Sequence, residues 1–387
     1  MKKILVVFGT RPEAIKMAPL LKEMYNHPDK LEVILCVTGQ HREMLHQVLD
    51  IFNLVPDYDL SLMQNGQDLF DISARVLTGM RDVLNEVEPD LVIVHGDTTT
   101  STMVALASFY KKIPVAHVEA GLRTFDIYSP WPEELNRQLT SKIVSFHFAP
   151  TEAARQNLIR ENIAPDKIIV TGNTVIDALY WVKNQFLANK SNLDNIVENL
   201  AEKGYDISHL DSDRKMVLIT GHRRENFGPG FISICNAIKT LADKYKDTDF
   251  IFPMHLNPNV RNAVSQVFGE DFDCRDNVFL LEPLDYISFI FLMDKSSLIL
   301  TDSGGVQEES AGLGKPVVIM RDITERAELT DSAQAKLVGT DFDKIISAVS
   351  GILDNSSSFN GVGNRVTPFG DGMAARRIVE HILHQIL

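Results

Sequence analysis

A chain of 387 residues that is 44% hydrophobic and 23% charged has material for two buried cores and no sign of a disordered or fibrous composition. Its 52 acidic against 38 basic residues leave a formal net charge of −14, a field that repels nucleic acid and anionic membranes, although local Arg side chains and backbone N–H groups still bind small anions. Cys36, Cys235 and Cys274 are far apart and form no C-x-x-C pair, which argues against a disulfide framework or zinc ribbon and fits a reducing cytoplasm.

The chain opens on MKKILVVFGT, with about six apolar residues before Gly9, too few for the apolar core of a signal peptide. No later run approaches the roughly 20 residues of a membrane span. KILVVFG, LEVILCV, DLVIVHG, IPVAHVE, SFHFAP and KIIVTGN predict strands in the first half. KMVLITGH, DFIFPMH, NVFLLEP, SLILTDSGG, KPVVIM and AKLVG repeat the style in the second. Continuous β-branched runs between helical-period segments belong to parallel strands covered on both faces, so the predicted class is α/β with doubly wound parallel sheets. A strandless stretch from about Thr174 to Gly204 separates the two sets, whose sheets are expected to face each other across a cleft. The predicted domains are 1–172 and 173–372. The closing segment MAARRIVEHILHQIL, about 373–387, is an amphipathic helix expected to pack back on the first domain. DNSSSFNGVGN, 354–364, is predicted as an open loop.

The chemistry is expected at strand ends, where open α/β sheets bind their ligands. After the first strand, Thr10 and Glu13 fit a capping box with Pro12 in the first turn. Capping needs no guanidinium, so Arg11 is a candidate for phosphate at the helix N-terminus, and Lys16 extends that positive rim or is solvated. VIVHGDTTTS puts Asp97 at the next strand end, where a cap for the following helix is its plain reading. AHVEAGLRT puts Glu119 at the end of a neighbouring strand, and SPWPEELNRQ opens a helix with Glu133 and Glu134, acids that also complement a helix dipole. Asp97, Glu119 and Glu133 therefore converge on one rim, and crowded carboxylates move each other's proton affinities apart, as acid/base work requires.

In the second half, TDSGGVQEE places Ser303, Gly304 and Gly305 where glycines let a phosphate approach backbone N–H groups, with Glu309 one turn on to accept from ribose hydroxyls. TGHRREN presents His222 with two arginines, a pattern that favours anion contact, and MHLNPNV repeats it with His255. Phe289 in DYISFIFLM reads as a core helix residue. There is no P-loop and no G-x-S-x-G elbow, and GDGMAA at 370–375 follows no strand, so a nicotinamide cofactor is unsupported. No Cys/His cluster has metal spacing.

FGTRPEAIKMAPL, TGQHREML, VHGDTTTS, HVEAGLRT, PWPEELNR, TGHRREN, HLNPNV, TDSGGVQEE and RDITERAE, in order over nearly the whole chain, resemble the non-hydrolysing UDP-N-acetylglucosamine 2-epimerases. The resemblance implies two Rossmann-like domains of the glycosyltransferase-B type, a homodimer, no metal and no cofactor. It implies interconversion of UDP-GlcNAc and UDP-ManNAc by elimination of UDP to 2-acetamidoglucal and re-addition. Asp97, Glu119 and Glu133 take the acid/base roles, and Glu119→Gln is expected to fold and bind UDP without exchanging the proton on C2. Arg11, His222 and the Ser303–Gly305 turn meet the diphosphate, Glu309 the ribose and Phe289 the uracil, with Arg326 in TERAE a further diphosphate or closure residue. TGQHRE resembles part of a second, activating UDP-GlcNAc site, with Gln40 and His41 as matching residues and His255 as a further candidate. Glu43 stands where some members carry another polar residue. Two readings stay beside this one: a 2-epimerase of a UDP-2,3-diacetamido uronic acid, and a glycosyltransferase of the same fold. A non-catalytic sensor is disfavoured because all three acids are present.

Overall fold

The computed structural model describes all residues except 40–41, 63–65, 212–213, 270–275, 331–333, 355–367 and 387. Gln40, His41, Cys274 and nearly all of the 354–364 loop lie outside the described residues. The chain divides into two compact units, Met1–Ala178 together with Phe369–Leu387, and Leu179–Pro368. The sequence put that boundary near residue 172. Among the described residues no helix is long and apolar enough to cross a membrane.

The first unit is built on seven parallel strands, β1 (Lys2–Phe8), β2 (Leu31–Val37), β3 (Tyr58–Asp59), β4 (Leu91–His95), β5 (Val115–Val118), β6 (Phe146–Ala149) and β7 (Ile168–Val170). Their order is β3-β2-β1-β4-β5-β6-β7. The two-residue β3 has no apolar run to announce it and was not among the predicted strands. Ile4 to Phe8 are fully buried, as a central strand covered on both faces requires. The strand order reverses between β1 and β4, and at such a switch point the loops leaving the two strands diverge and open a crevice at the carboxyl ends.

The predicted cap at Thr10 is present: the helix Arg11–Tyr25 begins with a capping box in which Glu13 reaches back to the Thr10 N–H at 2.8 Å. The helix Ala374–His381 packs on it, burying Ala374, Ala375, Ile378 and Val379. Asp177 holds the start of that last helix, accepting from the N–H groups of Ala374 at 3.2 Å and Ala375 at 2.9 Å. Burial outweighs these hydrogen bonds and pushes the Asp177 carboxyl up to about 6 from 3.8.

The folded chain thus holds this proton more tightly than the unfolded chain. Asp177 contributes stability that is fully present below about pH 4 and is lost as pH rises through about 6. Urea midpoints of the wild type and Asp177→Asn should therefore show a wild-type advantage that shrinks between pH 4 and 7, whereas a difference constant over that range would contradict the assignment.

The second unit holds six parallel strands, β8 (Lys215–Thr220), β9 (Thr248–Pro253), β10 (Val278–Leu281), β11 (Leu298–Thr301), β12 (Val317–Ile319) and β13 (Ala335–Leu337), in the order β10-β9-β8-β11-β12-β13. Its switch point lies between β8 and β11. Val217, Ile219, Phe250, Phe252, Leu298 and Leu300 join the helices Pro229–Lys244, Pro258–Phe268 and Phe342–Asp354 in one core. Both cores therefore anchor strands whose carboxyl ends carry the polar side chains described next.

Candidate active site

In the first unit, the loops leaving β1 and β4 are stitched by one carboxylate. Glu13 accepts from Gly9 N–H at 3.0 Å, from the Thr10 hydroxyl at 2.8 Å, and across the switch point from the hydroxyls of Thr98 at 2.7 Å and Ser101 at 3.1 Å. Burial raises its pKa, with the hydrogen bonds from Thr98, Gly9 and Thr10 opposing. The residue read from sequence as a cap thus also fixes the spacing of two site loops.

Asp97 follows β4. Its carboxylate accepts from Arg137 Nε at 3.0 Å and Nη2 at 2.6 Å, and Arg137 Nη1 also meets Glu134 at 3.1 Å. Glu134 is fully buried and accepts from the N–H groups of Thr124 and Phe125, both at 3.1 Å, so it organises the approach to the helix Glu133–Ile143. Glu133, the first residue of that helix, is half-buried. Of the two acids at this helix start, Glu134 carries the structural role.

Glu119 follows β5 with φ of 65°, a left-handed conformation that costs a non-glycine residue roughly 1–3 kcal/mol. Flanking backbone bonds, Gly96 N–H to Val118 O at 2.9 Å and Ala120 N–H to Phe148 O at 3.0 Å, hold it there. Gly121 completes the turn with φ of 94°, and a Cβ there would lie 2.3 Å from the Ala154 carbonyl oxygen. The Glu119 side chain is 7% exposed, ion-paired with Lys16, and accepts from Asn173 Nδ2 at 2.7 Å. Lys16 was expected to extend a phosphate rim or to be solvated; instead its ammonium is buried and offsets the Glu119 carboxylate. Arg11 stands half-buried at the first position of the helix Arg11–Tyr25.

In the second unit, Asp302 at the end of β11 is fully buried and reaches across the switch point to the loop after β8. It accepts from His222 N–H at 2.9 Å, Arg223 N–H at 2.9 Å and Asn226 Nδ2 at 3.1 Å. The His222 ring lies with Nδ1 3.5 Å from Asp302 and stacks on His255, centroids 5.5 Å apart. Desolvation lowers the His222 pKa, and Asp302 opposes that shift. Removing Asp302 strips the acceptor from two backbone N–H groups, each costing roughly 1–3 kcal/mol if left unsatisfied. Asp302→Ala is therefore expected to destabilise the fold by at least about 1–3 kcal/mol in urea denaturation; an unchanged midpoint would contradict this ordering role.

Arg326 is buried between Glu308, at 2.7 Å, and Glu325. Glu325 is shared with Arg321 at 2.8 Å, and Arg321 meets Glu225 at 2.9 Å, so the ion pairs form a chain beneath the Ser303 turn. A Cβ on Gly304 would lie 2.5 Å from Arg326 Nη1, while Gly305 has open space. Sequence reasoning gave both glycines to a phosphate; the missing side chain at Gly304 also makes room for Arg326. Ser303 stands at the N-cap position of the helix Gly304–Leu313 without a side-chain capping bond, Glu309 accepts from Tyr286 Oη at 3.0 Å, and Phe289 is half-buried, at the edge of the core where sequence placed it inside.

The structure thus brings Lys16, Asn173 and Glu119 together, sets Asp97 on the adjacent loop, and groups His222, His255 and Asp302. Asn173, Arg137, Asp302 and the Arg321–Glu325 link were not singled out from sequence. Only Arg137 left a signal, three residues after Glu134 on one helix face. Among the described residues no three His, Cys, Asp or Glu side chains are grouped to hold a metal ion.

A family model for UDP-N-acetylglucosamine 2-epimerase matches residues 22–383. The chain belongs to that family. The UDP-N-acetylglucosamine 2-epimerase of Escherichia coli K12 is 50% identical over 378 residues, covering 98% of this chain and 97% of its own. The structure of the Neisseria meningitidis UDP-GlcNAc 2-epimerase bound to UDP-GlcNAc superposes with a TM-score of 0.91 at 45% identity, over 98% of this chain and 99% of that one. The Methanocaldococcus jannaschii UDP-GlcNAc 2-epimerase in complex with UDP-GlcNAc and UDP gives 0.83 at 33% identity, again over 98% and 99%. Like these 2-epimerases, the chain is built from two Rossmann-like units of the glycosyltransferase-B type.

Proposed function

We propose that this isomerase interconverts UDP-GlcNAc and UDP-ManNAc at C2 by eliminating UDP to give 2-acetamidoglucal and adding it back. The observation that carries the mechanism is the pairing of carboxylates with buried cations at adjacent strand ends, Glu119 with Lys16 and Asp97 with Arg137, in a member of this family.

The C2 proton is weakly acidic, so its removal is easiest when the C1–O bond breaks in the same step. A base takes the proton, its bonding electrons form the C1–C2 double bond, and the C1–O pair leaves with UDP. Protonation of C2 from the opposite face during re-addition inverts that centre, so acid and base must flank the reacting carbon. Asp97, Glu119 and Glu133 supply these groups. Negative charge developing on the leaving diphosphate is met by Arg11, His222 and the N–H groups of the Ser303–Gly305 turn. Arg326 sets that turn from behind Gly304, Glu309 takes the ribose, and Phe289, half-open at its helix edge, stacks on uracil.

The reading extends to a cytoplasmic homodimer. Cys36 and Cys235 are buried free thiols, and exposed Phe109, Tyr110, Leu135 and Leu139 on two neighbouring helices provide apolar surface for a second copy. UDP-GlcNAc as activator rests on Gln40 and His41 by resemblance alone; His255 supports the diphosphate site instead, through its stacking on His222.

Purified protein with UDP-GlcNAc in deuterated water, followed by proton NMR without added metal or NAD, is expected to yield UDP-ManNAc carrying deuterium at C2. Bound UDP without product or exchange would overturn the reading in favour of the diacetamido uronic acid substrate or a transferase.

A further inference from the structure

His95, the last residue of β4, is 3% exposed, and neither ring nitrogen has a hydrogen-bond partner among the described residues. Leaving polar groups so deeply buried and unpaired is costly, and of the two nitrogens Nε2 is the one that faces a side chain able to satisfy it. Its Nε2 lies 3.9 Å from Glu119 Oε2, the oxygen that Lys16 and Asn173 already address.

We propose that His95 is a positioning residue for Glu119, accepting through Nε2 the hydrogen bond of the protonated carboxyl once Glu119 has received the C2 proton. The proposal rests on the acid/base role of Glu119 given above. An ionised carboxylate needs donors, and Lys16 and Asn173 Nδ2 are donors. After proton transfer the same group carries an O–H that must itself donate. An ammonium has no lone pair, and Asn173 turns its Nδ2 to the carboxylate while its Oδ1 faces Val175 N–H at 3.0 Å.

In its Nδ1-protonated tautomer the neutral imidazole of His95 offers a lone pair at Nε2. Charge loss on Glu119 also weakens its attraction to Lys16, which lets the carboxyl shift the roughly 1 Å needed for hydrogen bonding. His95 gains no proton in this step. The C2 proton stays on Glu119, the C2–H electrons enter the C1–C2 double bond, and the C1–O pair leaves with UDP.

The groups facing the ring keep it neutral. Burial holds its pKa at about 4; Lys16 from the first helix and His117 from β5, itself bonded to Gly96 O at 2.7 Å, push the same way, against Glu119 and Asp97.

The test compares His95→Gln, whose amide reaches the Nε2 position, with His95→Asn, whose amide stops near Nδ1. The Asn variant is expected to lose about tenfold or more in kcat with KM for UDP-GlcNAc unchanged, and the Gln variant to regain most of it. Because the lost bond favoured protonated Glu119, the pH-rate limb of that group should move to lower pH in the Asn variant. Wild-type kcat in both variants, or equal losses without movement of the limb, would overturn the proposal. Glu119→Gln, run in parallel, separates the two claims: an active Glu119→Gln enzyme sinks the role of Glu119 itself. An inactive one beside a fully active His95→Asn enzyme sinks only the role of His95. If the Asn variant does not fold, nitrogen-15 NMR of wild-type His95 with UDP and 2-acetamidoglucal bound together, the state in which Glu119 holds the proton, decides. A proton on Nδ1 with a hydrogen-bonded Nε2 supports the proposal, and a proton on Nε2 overturns it.

Discussion

Glu119→Gln is expected to lower the rate of exchange at C2 by about 10²–10⁴-fold and to lower the melting temperature as well. The rate loss follows from chemistry, since an amide accepts no proton from carbon at neutral pH. The stability loss follows from the fold. Lys16 is buried against Glu119, and removing one partner of a buried ion pair costs about 3–5 kcal/mol because the other charge stays out of water. The sequence predicted a variant that folds as the wild type does, because a lysine on the first helix gave no sign of pointing at an acid beyond β5. Adding Lys16→Met to Glu119→Gln should restore much of the stability and none of the exchange, which a double-mutant cycle with thermal melts and deuterium exchange reads directly. An active single variant would refute the catalytic role, and an unchanged melting temperature would refute the buried pair.

Arg326→Met is the second large effect. Its guanidinium lies between two carboxylates, Glu308 fully buried and Glu325 nearly so, and its loss concentrates negative charge beneath the Ser303 turn. The expected destabilisation is about 3–5 kcal/mol in urea denaturation. UDP affinity should fall with it, because Gly304 packs on the guanidinium and the turn loses its support. Gly304→Ala perturbs the same contact from the other side and should weaken UDP binding while keeping every charge. If Arg326→Met bound UDP as tightly as the wild type, the turn would owe nothing to the ion pairs below it.

Most strands were legible because uninterrupted apolar runs such as KILVVFG and SLILT have one physical use, a strand covered on both faces. The two-residue β3 lacks such a run and owes its strand geometry to pairing with β2. The acids Asp97 and Glu119 were legible as well, since strand ends bounded by glycine are easily located. Their partners were not. Lys16 and Glu119 are 103 positions apart, and Arg137 and Asp97 are 40 apart, so only the folded sheet brings them into contact. Asp302 was overshadowed by the glycines beside it, though its carboxylate orders the loop that carries His222. His95 closes the apolar run LVIV and reads as the end of a strand; its unsatisfied nitrogens exist only in three dimensions.

The central claim is that the bond between C1 and the diphosphate breaks in every turnover. UDP-GlcNAc carrying oxygen-18 in the bridge between C1 and the β-phosphorus, followed by phosphorus NMR as the epimers equilibrate, tests it directly. Elimination frees the β-phosphate to rotate before re-addition, so the label should spread from the bridge into the non-bridging positions at a rate comparable to epimerisation. UDP-ManNAc formed with all of its label still in the bridge would contradict elimination and require a route that leaves the C1–O bond intact.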